Sequence, residues 1–96
     1  MEQQRQPYIV CVGENGRAVI FGRCDTDPQP GENIRVHDAR MVLYWPSGGL
    51  LGLASKGPVD GTRITAQVEW TEPGPVKQVL SVSDAAAEAL KAWPTC

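Results

Sequence analysis

The sequence predicts an α+β fold: a small five-stranded, mostly antiparallel sheet or partly open barrel, with a short Gly-rich helix after strand 3 and a C-terminal helix. Three stretches carry this. YIVCVGENGRAVIFGRC, residues 8–24, sets two apolar runs on either side of an Asn-Gly pair. TRITAQVEWT, residues 62–71, alternates apolar and polar side chains. SDAAAEALKAWP, residues 83–94, changes to helical spacing behind a serine. Hairpins followed by a helix, without regular strand–helix alternation, read as α+β.

The first two strands, residues 8–12 and 18–24, flank Glu14-Asn15-Gly16-Arg17. Asn-Gly favours a type I′ turn, because both central residues need positive φ. Gly13 and Gly22 mark bends or bulges. DTDPQPGEN, residues 25–33, is a solvated loop by its Asp, Pro, Gly and Asn content, and it lacks the ligand spacing of a calcium loop. Strand 3 covers residues 34–36 and 39–45, with His37-Asp38 as a bulge or turn between them, and Pro46 ends it.

Ser47 is placed to cap a helix over residues 47–56. Leu50, Leu53 and Ala54 share one face, and Gly57-Pro58 stops it. Its glycines weaken it by about 1 kcal/mol each relative to Ala, so packing must hold it down. In strand 4, Thr62, Ile64, Ala66, Val68 and Trp70 are expected on a buried face. Residues 72–75 form a turn and residues 76–82 the fifth strand. Ser83 caps the last helix, which presents Ala86, Leu90 and Trp93 on one side.

HDARMVLYW, residues 37–45, raises a packing problem. Met41-Val42-Leu43-Tyr44-Trp45 places apolar groups on both faces of a strand, in a chain of 96 residues. The helix that follows covers one face. The second is expected to be left partly bare, which in a soluble chain marks an interaction site.

The chain is expected to be a single domain, 1–96, with a flexible N-terminus over residues 1–7. No run of 18 apolar residues is present and the first residues are polar, so neither a membrane span nor a signal peptide is expected, and the cytoplasm is the expected location. The net charge of −2 argues against a general nucleic-acid binder. Three cysteines and one histidine without C-x-x-C spacing give no metal site and no cofactor. Cys11 and Cys24 read as small buried hydrophobes, with a disulfide between them the less favoured reading.

Reaction chemistry is hard to find. A Cys24–His37 nucleophile pair lacks the local signatures of such enzymes. Ser47-Gly48-Gly49 at a helix start lacks the P-loop pattern. Arg35, Arg40 and Arg63 come together if strands 3 and 4 pair; with Tyr44, Trp45 and Trp70 they form either an Arg/aromatic nucleic-acid surface or a protein-binding patch. The plainest alternative puts the aromatics in the core and the arginines on solvated rims. Trp70 and Trp93 are expected inside; for Tyr44 and Trp45, core and interface are both open.

Ala39-Arg40, Tyr44-Trp45 and the Gly/Leu-rich stretch Gly49, Leu50, Leu53, Ala54 and Gly57 resemble a group of small phage and prophage proteins with a central Ala-Arg-x-x-x-Tyr-Trp segment. Those proteins open with a hairpin and end with a strand and a capped helix near a Trp, here residues 78–93. Pro46-Ser47 and the 25–33 loop depart from that pattern. The resemblance implies a phage setting and carries no activity. The expectation is a non-enzymatic accessory protein that binds a host or phage protein, in the manner of an anti-CRISPR-like inhibitor of host defence. The binding candidates are Arg35, Arg40, Tyr44, Trp45 and Arg63, and a homodimer is a second form of the same idea. The alternatives are a nucleic-acid-binding accessory protein and, third, a small hydrolase or nuclease.

Overall fold

The computed structural model describes residues 5–46 and 49–95. Its elements are β1 (Gln6–Val12), β2 (Ala18–Cys24), β3 (Val36–Tyr44), α1 (Gly49–Lys56), β4 (Arg63–Ile64), β5 (Val68–Thr71), β6 (Val76–Ser81) and α2 (Asp84–Ala92). The fold is α+β. One antiparallel sheet runs in the order β4-β3-β2-β1-β6, with β5 pairing β3 beside β4. The described helices are too short to cross a membrane. β1 begins at Gln6, inside the stretch expected to be flexible, and Pro7 is already buried opposite Arg23.

The hairpin forms where Asn15-Gly16 predicts it, but the turn is different. The last β1–β2 pair is Val12↔Ala18, and the Gly16 N–H donates to the Gly13 carbonyl at 3.1 Å. Gly13 and Gly16 have positive φ and Asn15 does not, so a longer loop replaces the expected type I′ turn.

The bulge expected at His37-Asp38 is present. Pairing with β2 slips between Phe21↔Arg40 and Arg23↔His37, and Asp38 has φ 52°. Gly22 lies opposite the slip. A Cβ there would stand 2.3 Å from Val36 Cγ1 and 2.7 Å from the His37 carbonyl oxygen. Glycine is what lets the two strands approach so closely.

The expected fourth strand is broken in two. β4 and β5 both pair with β3, but residues 65–67 leave the ladder between them. The Thr65 hydroxyl takes over at the break. Its Oγ1 accepts the Met41 N–H at 2.9 Å, while the Thr65 N–H donates to the Met41 carbonyl at 2.9 Å. Thr62 and Ile64 are therefore buried as expected, whereas Ala66, Val68 and Trp70 are exposed.

Both helices cover one face of the sheet. Ile9, Phe21, Val42 and Ile64 pack there with Leu53 and Ala54 of α1 and Ala86, Ala87 and Leu90 of α2. The Ser83 Oγ accepts the Ala86 N–H at 3.1 Å, the predicted cap. α1 ends at Gly57, whose φ is 91° and whose N–H reaches the Leu53 carbonyl at 3.0 Å. Its predicted cap, Ser47, lies outside the described residues.

The opposite face holds a second core of Val10, Val12, Ile20, Cys24, Val36, Ala39 and Val76. No helix covers it. Instead the 25–35 loop folds back: the Gly31 N–H donates to the Val76 carbonyl at 2.7 Å, the Val76 N–H donates to Glu32 at 3.0 Å, and Asn33 bridges to Pro75. The sheet is thereby curled around this second core at one end and left open at the other. Cys11 belongs to the first core and Cys24 to the second, and both are free thiols.

Candidate functional site

The open end of the sheet carries most of the exposed apolar side chains. Beyond the bulge, burial in β3 alternates from Arg40 to Leu43, and a second register slip, between Val42↔Ile64 and Tyr44↔Arg63, then leaves Tyr44 exposed beside Leu43. Arg40 and Val42 point to the helices, while Met41, Leu43 and Tyr44 are exposed. Where residues 65–67 leave the ladder, a recess of about 240 Å³ opens among Ile20, Ala39, Met41, Ala66 and Val68. A second, about 430 Å³, lies between Leu43, Tyr44 and Arg63. Val68 is 51% exposed and Tyr44 54%.

The five predicted binding residues part company. Arg40 is 4% exposed: it lines the first recess, but its guanidinium is turned inward. Its Nε donates to the Thr65 carbonyl at 2.9 Å, its Nη1 to the carbonyls of Leu90 at 2.8 Å and Lys91 at 3.1 Å, and its Nη2 reaches Thr95 Oγ1 at 3.5 Å. One guanidinium thus serves the last carbonyls of α2, where the helix dipole is negative, and the Thr65 carbonyl at the strand break. Trp45 is half-buried against the first core, and Tyr44 stands outside it. Arg63 is exposed opposite Tyr44 in the β3–β4 register.

Arg35 lies 3.9 Å from the centre of the Trp70 ring and pairs with Glu72 at 3.2 Å. Trp70 is 45% exposed, not interior as its place in the alternating pattern predicts, because β5 is an edge strand beyond the break. Trp93 packs as expected, half-buried on the first core with its Nε1 donating to the Thr62 carbonyl at 2.9 Å. Sequence reasoning missed Met41, Leu43 and Val68 as named members of the surface. The signal is parity over the regular part of the strand: Arg40 and Val42 face the helices, so Met41 and Leu43 face out.

The polar cluster at the other end of β3 has a different character. The Arg5 Nε donates to Asp25 Oδ1 at 2.9 Å, and His37 Nε2 lies 3.4 Å from Asp25 Oδ2 without hydrogen-bond geometry. Arg5, then His37, hold the Asp25 carboxyl below its ordinary value. The Tyr8 hydroxyl donates to Asp27, and that bond, with burial, pushes the phenol up to about 12. Burial, then Asp25, pushes the Cys24 thiol up to about 11, and burial also raises Cys11. A nucleophilic cysteine needs the opposite shift, so Cys24 is built as core. Among the described residues, no three His, Cys, Asp or Glu side chains converge as metal ligands.

Over residues 6–93 the sequence matches the family model described as a domain of unknown function (DUF6948). Neither the curated proteins nor the solved structures include a match.

Proposed function

The chain belongs to the DUF6948 family, and from that premise we propose that it is a non-enzymatic protein that works by binding another protein. One observation carries the reading. Met41, Leu43, Tyr44 and Val68 are exposed together on β3 and β5, around two recesses at the open end of the sheet, and Trp70 is exposed farther along β5, opposite His37. Exposed apolar groups gathered this way favour a protein partner. A nucleic-acid partner is less well served. Of the three arginines, Arg40 is inside and Arg35 is committed to Glu72, which leaves Arg63. At finer grain, the phage setting and the role of blocking a host defence system rest on the resemblance around Ala39–Gly57, with the host cytoplasm as the place of action.

The test compares wild type with Met41→Glu/Val68→Glu as bait in a host lysate. Both positions are exposed, so the far-UV spectrum should not change. A partner captured by wild type should survive nuclease and moderate salt, and the double variant should lose it. Capture that collapses with nuclease, or falls steeply with salt, identifies nucleic acid instead. Expressing both forms in cells with an active defence system tests the finer role. Wild type should restore phage plating and the double variant should not.

A further inference from the structure

The other end of the sheet offers a separate surface. β6 is an edge strand, paired along its length with β1 and, among the described residues, with no other strand. Its outer side is capped at two points. Val76 exchanges backbone hydrogen bonds with Gly31 and Glu32, and beyond the strand the Ser83 N–H donates to the Ala54 carbonyl of α1 at 3.1 Å.

Between these caps is a gap. Pairing with β1 slips between Val12↔Val76 and Cys11↔Gln78, so Lys77 is the extra residue of a bulge. A bulge reverses which residues point outward. Beyond it the direction alternates with period two. Ser83 donates outward to α1, so Ser81 and Val79 also point outward. Among the described residues, no group outside β1 bonds to the backbone of Val79 or Ser81.

The bulge and Lys77 protect one end of this edge, but the stretch beyond them carries no such device. Residues 78–81 are Gln, Val, Leu and Ser, without charge or proline. A recess of about 370 Å³ lies beside them, bounded by Leu51, Ala54 and Ser55 of α1. Leu51 is 72% exposed, the most exposed of the large apolar side chains among the described residues.

We propose that β6 takes an extended peptide segment of a partner protein by strand addition. Two outward residues, each presenting an N–H and a C=O, are matched by a backbone of the same extended repeat. The peptide pairs with Val79 and Ser81, and one of its apolar side chains packs on Leu51 and Ala54. A peptide fits better than a second copy. The 31–32 loop and α1 flank the gap at its two ends, which leaves room for a short strand of peptide and not for the long edge of a second folded chain.

The probe is a labelled pentapeptide alternating Thr and Val, with a counterpart N-methylated at alternate amides. Amide exchange followed by NMR is the readout. In the free protein, the Val79 and Ser81 amides should exchange about tenfold or more faster than those of Gln78 and Leu80, which face β1. Peptide should protect them about tenfold, and the N-methylated peptide should not. Ser81→Pro removes an outward N–H that the fold does not use, a substitution an edge strand tolerates, and it should abolish protection at Val79. Leu51→Glu, on an exposed helix position, is the second variant and should weaken binding about tenfold. Free amides that are equally slow, no protection at about 1 mM peptide, or binding indifferent to both variants would overturn the proposal. So would protection that appears without peptide together with a doubled mass in light scattering, which assigns the edge to a second copy. Met41→Glu/Val68→Glu should bind the peptide as wild type does, which separates this edge from the β3–β5 surface.

Discussion

Arg40 is joined to Leu90 across the fold: its Nη1 donates to the Leu90 carbonyl at 2.8 Å, tying the middle of β3 to the end of α2. The same side chain serves Lys91 and Thr65. Removing it leaves buried carbonyls without donors as well as a cavity. Arg40→Ala is expected to cost about 3 kcal/mol in denaturant titration. Arg40→Lys should recover little of this, because a single ammonium on a flexible stem cannot reproduce the fork of the guanidinium. An unchanged midpoint for Arg40→Ala would remove Arg40 from the framework.

Gly22→Ala should be the most damaging single-methyl change in the sheet. The new Cβ would meet Val36 Cγ1 at 2.3 Å and the His37 carbonyl oxygen at 2.7 Å. Backbone on one side and core on the other leave little room to yield, and a loss of about 3 kcal/mol is expected. Gly16→Val acts differently. Its Cβ has space, with Lys77 Cβ at 3.4 Å, but φ is 64°. The strain of a β-branched residue there should cost about 2 kcal/mol. Thermal melts of the two variants check both values.

These two glycines also show what local sequence can convey. Asn15-Gly16, the Ser83 cap, Gly57 and the His37-Asp38 bulge are short-range signals, and each appears close to where it was read. The failures are long-range. Thr62 to Trp70 alternates as a strand with one buried face, yet nothing local says that Thr65 will replace backbone in the ladder and release Val68 and Trp70 to solvent. Arg40 carries the residue type of a surface, and only the arrival of α2's C-terminus makes it interior. The cover of the second face is a loop, residues 25–35, whose composition speaks of solvent and not of pairing with Val76. For the candidate surface, the sequence located β3 and Tyr44 but could not sort Arg40 from Met41 until the direction of the helices was known.

Tyr8 should titrate late. Its hydrogen bond to Asp27, and then burial, raise the phenol to about 12. The folded value lies above the unfolded one, so the stabilisation is complete below about 10 and is lost as pH rises toward 12. The chain has two tyrosines, and an absorbance titration of Tyr44→Phe isolates Tyr8. Asp27→Asn should move the transition back toward the ordinary phenol range. Asp25 has the opposite sign: its carboxyl is held down chiefly by Arg5, so its contribution is present above the ordinary carboxylate value and disappears as pH falls through the lowered one.

Tyr44 and Trp45 are neighbours with opposite duties. Trp45 leans on the first core, as Leu50 and Trp93 do, and Tyr44 is 54% exposed next to Leu43 and Arg63. Trp45→Ala should therefore be a folding mutation. The ring is half-buried, so its loss is expected to cost about 2–3 kcal/mol, below the range for a fully buried Trp. Tyr44→Ala removes a side chain that the core does not use, and its effect on stability should stay within about 0.5 kcal/mol. If the β3–β5 surface is where a partner binds, Tyr44→Ala lowers capture of that partner while Trp45→Ala lowers it only in proportion to unfolding. Light scattering adds a separate check. A wild-type mass twice that of the chain, reduced to one chain by Tyr44→Ala, would make the partner at this surface a second copy. A stable Trp45→Ala paired with an unfolded Tyr44→Ala would reverse the assignment of both residues.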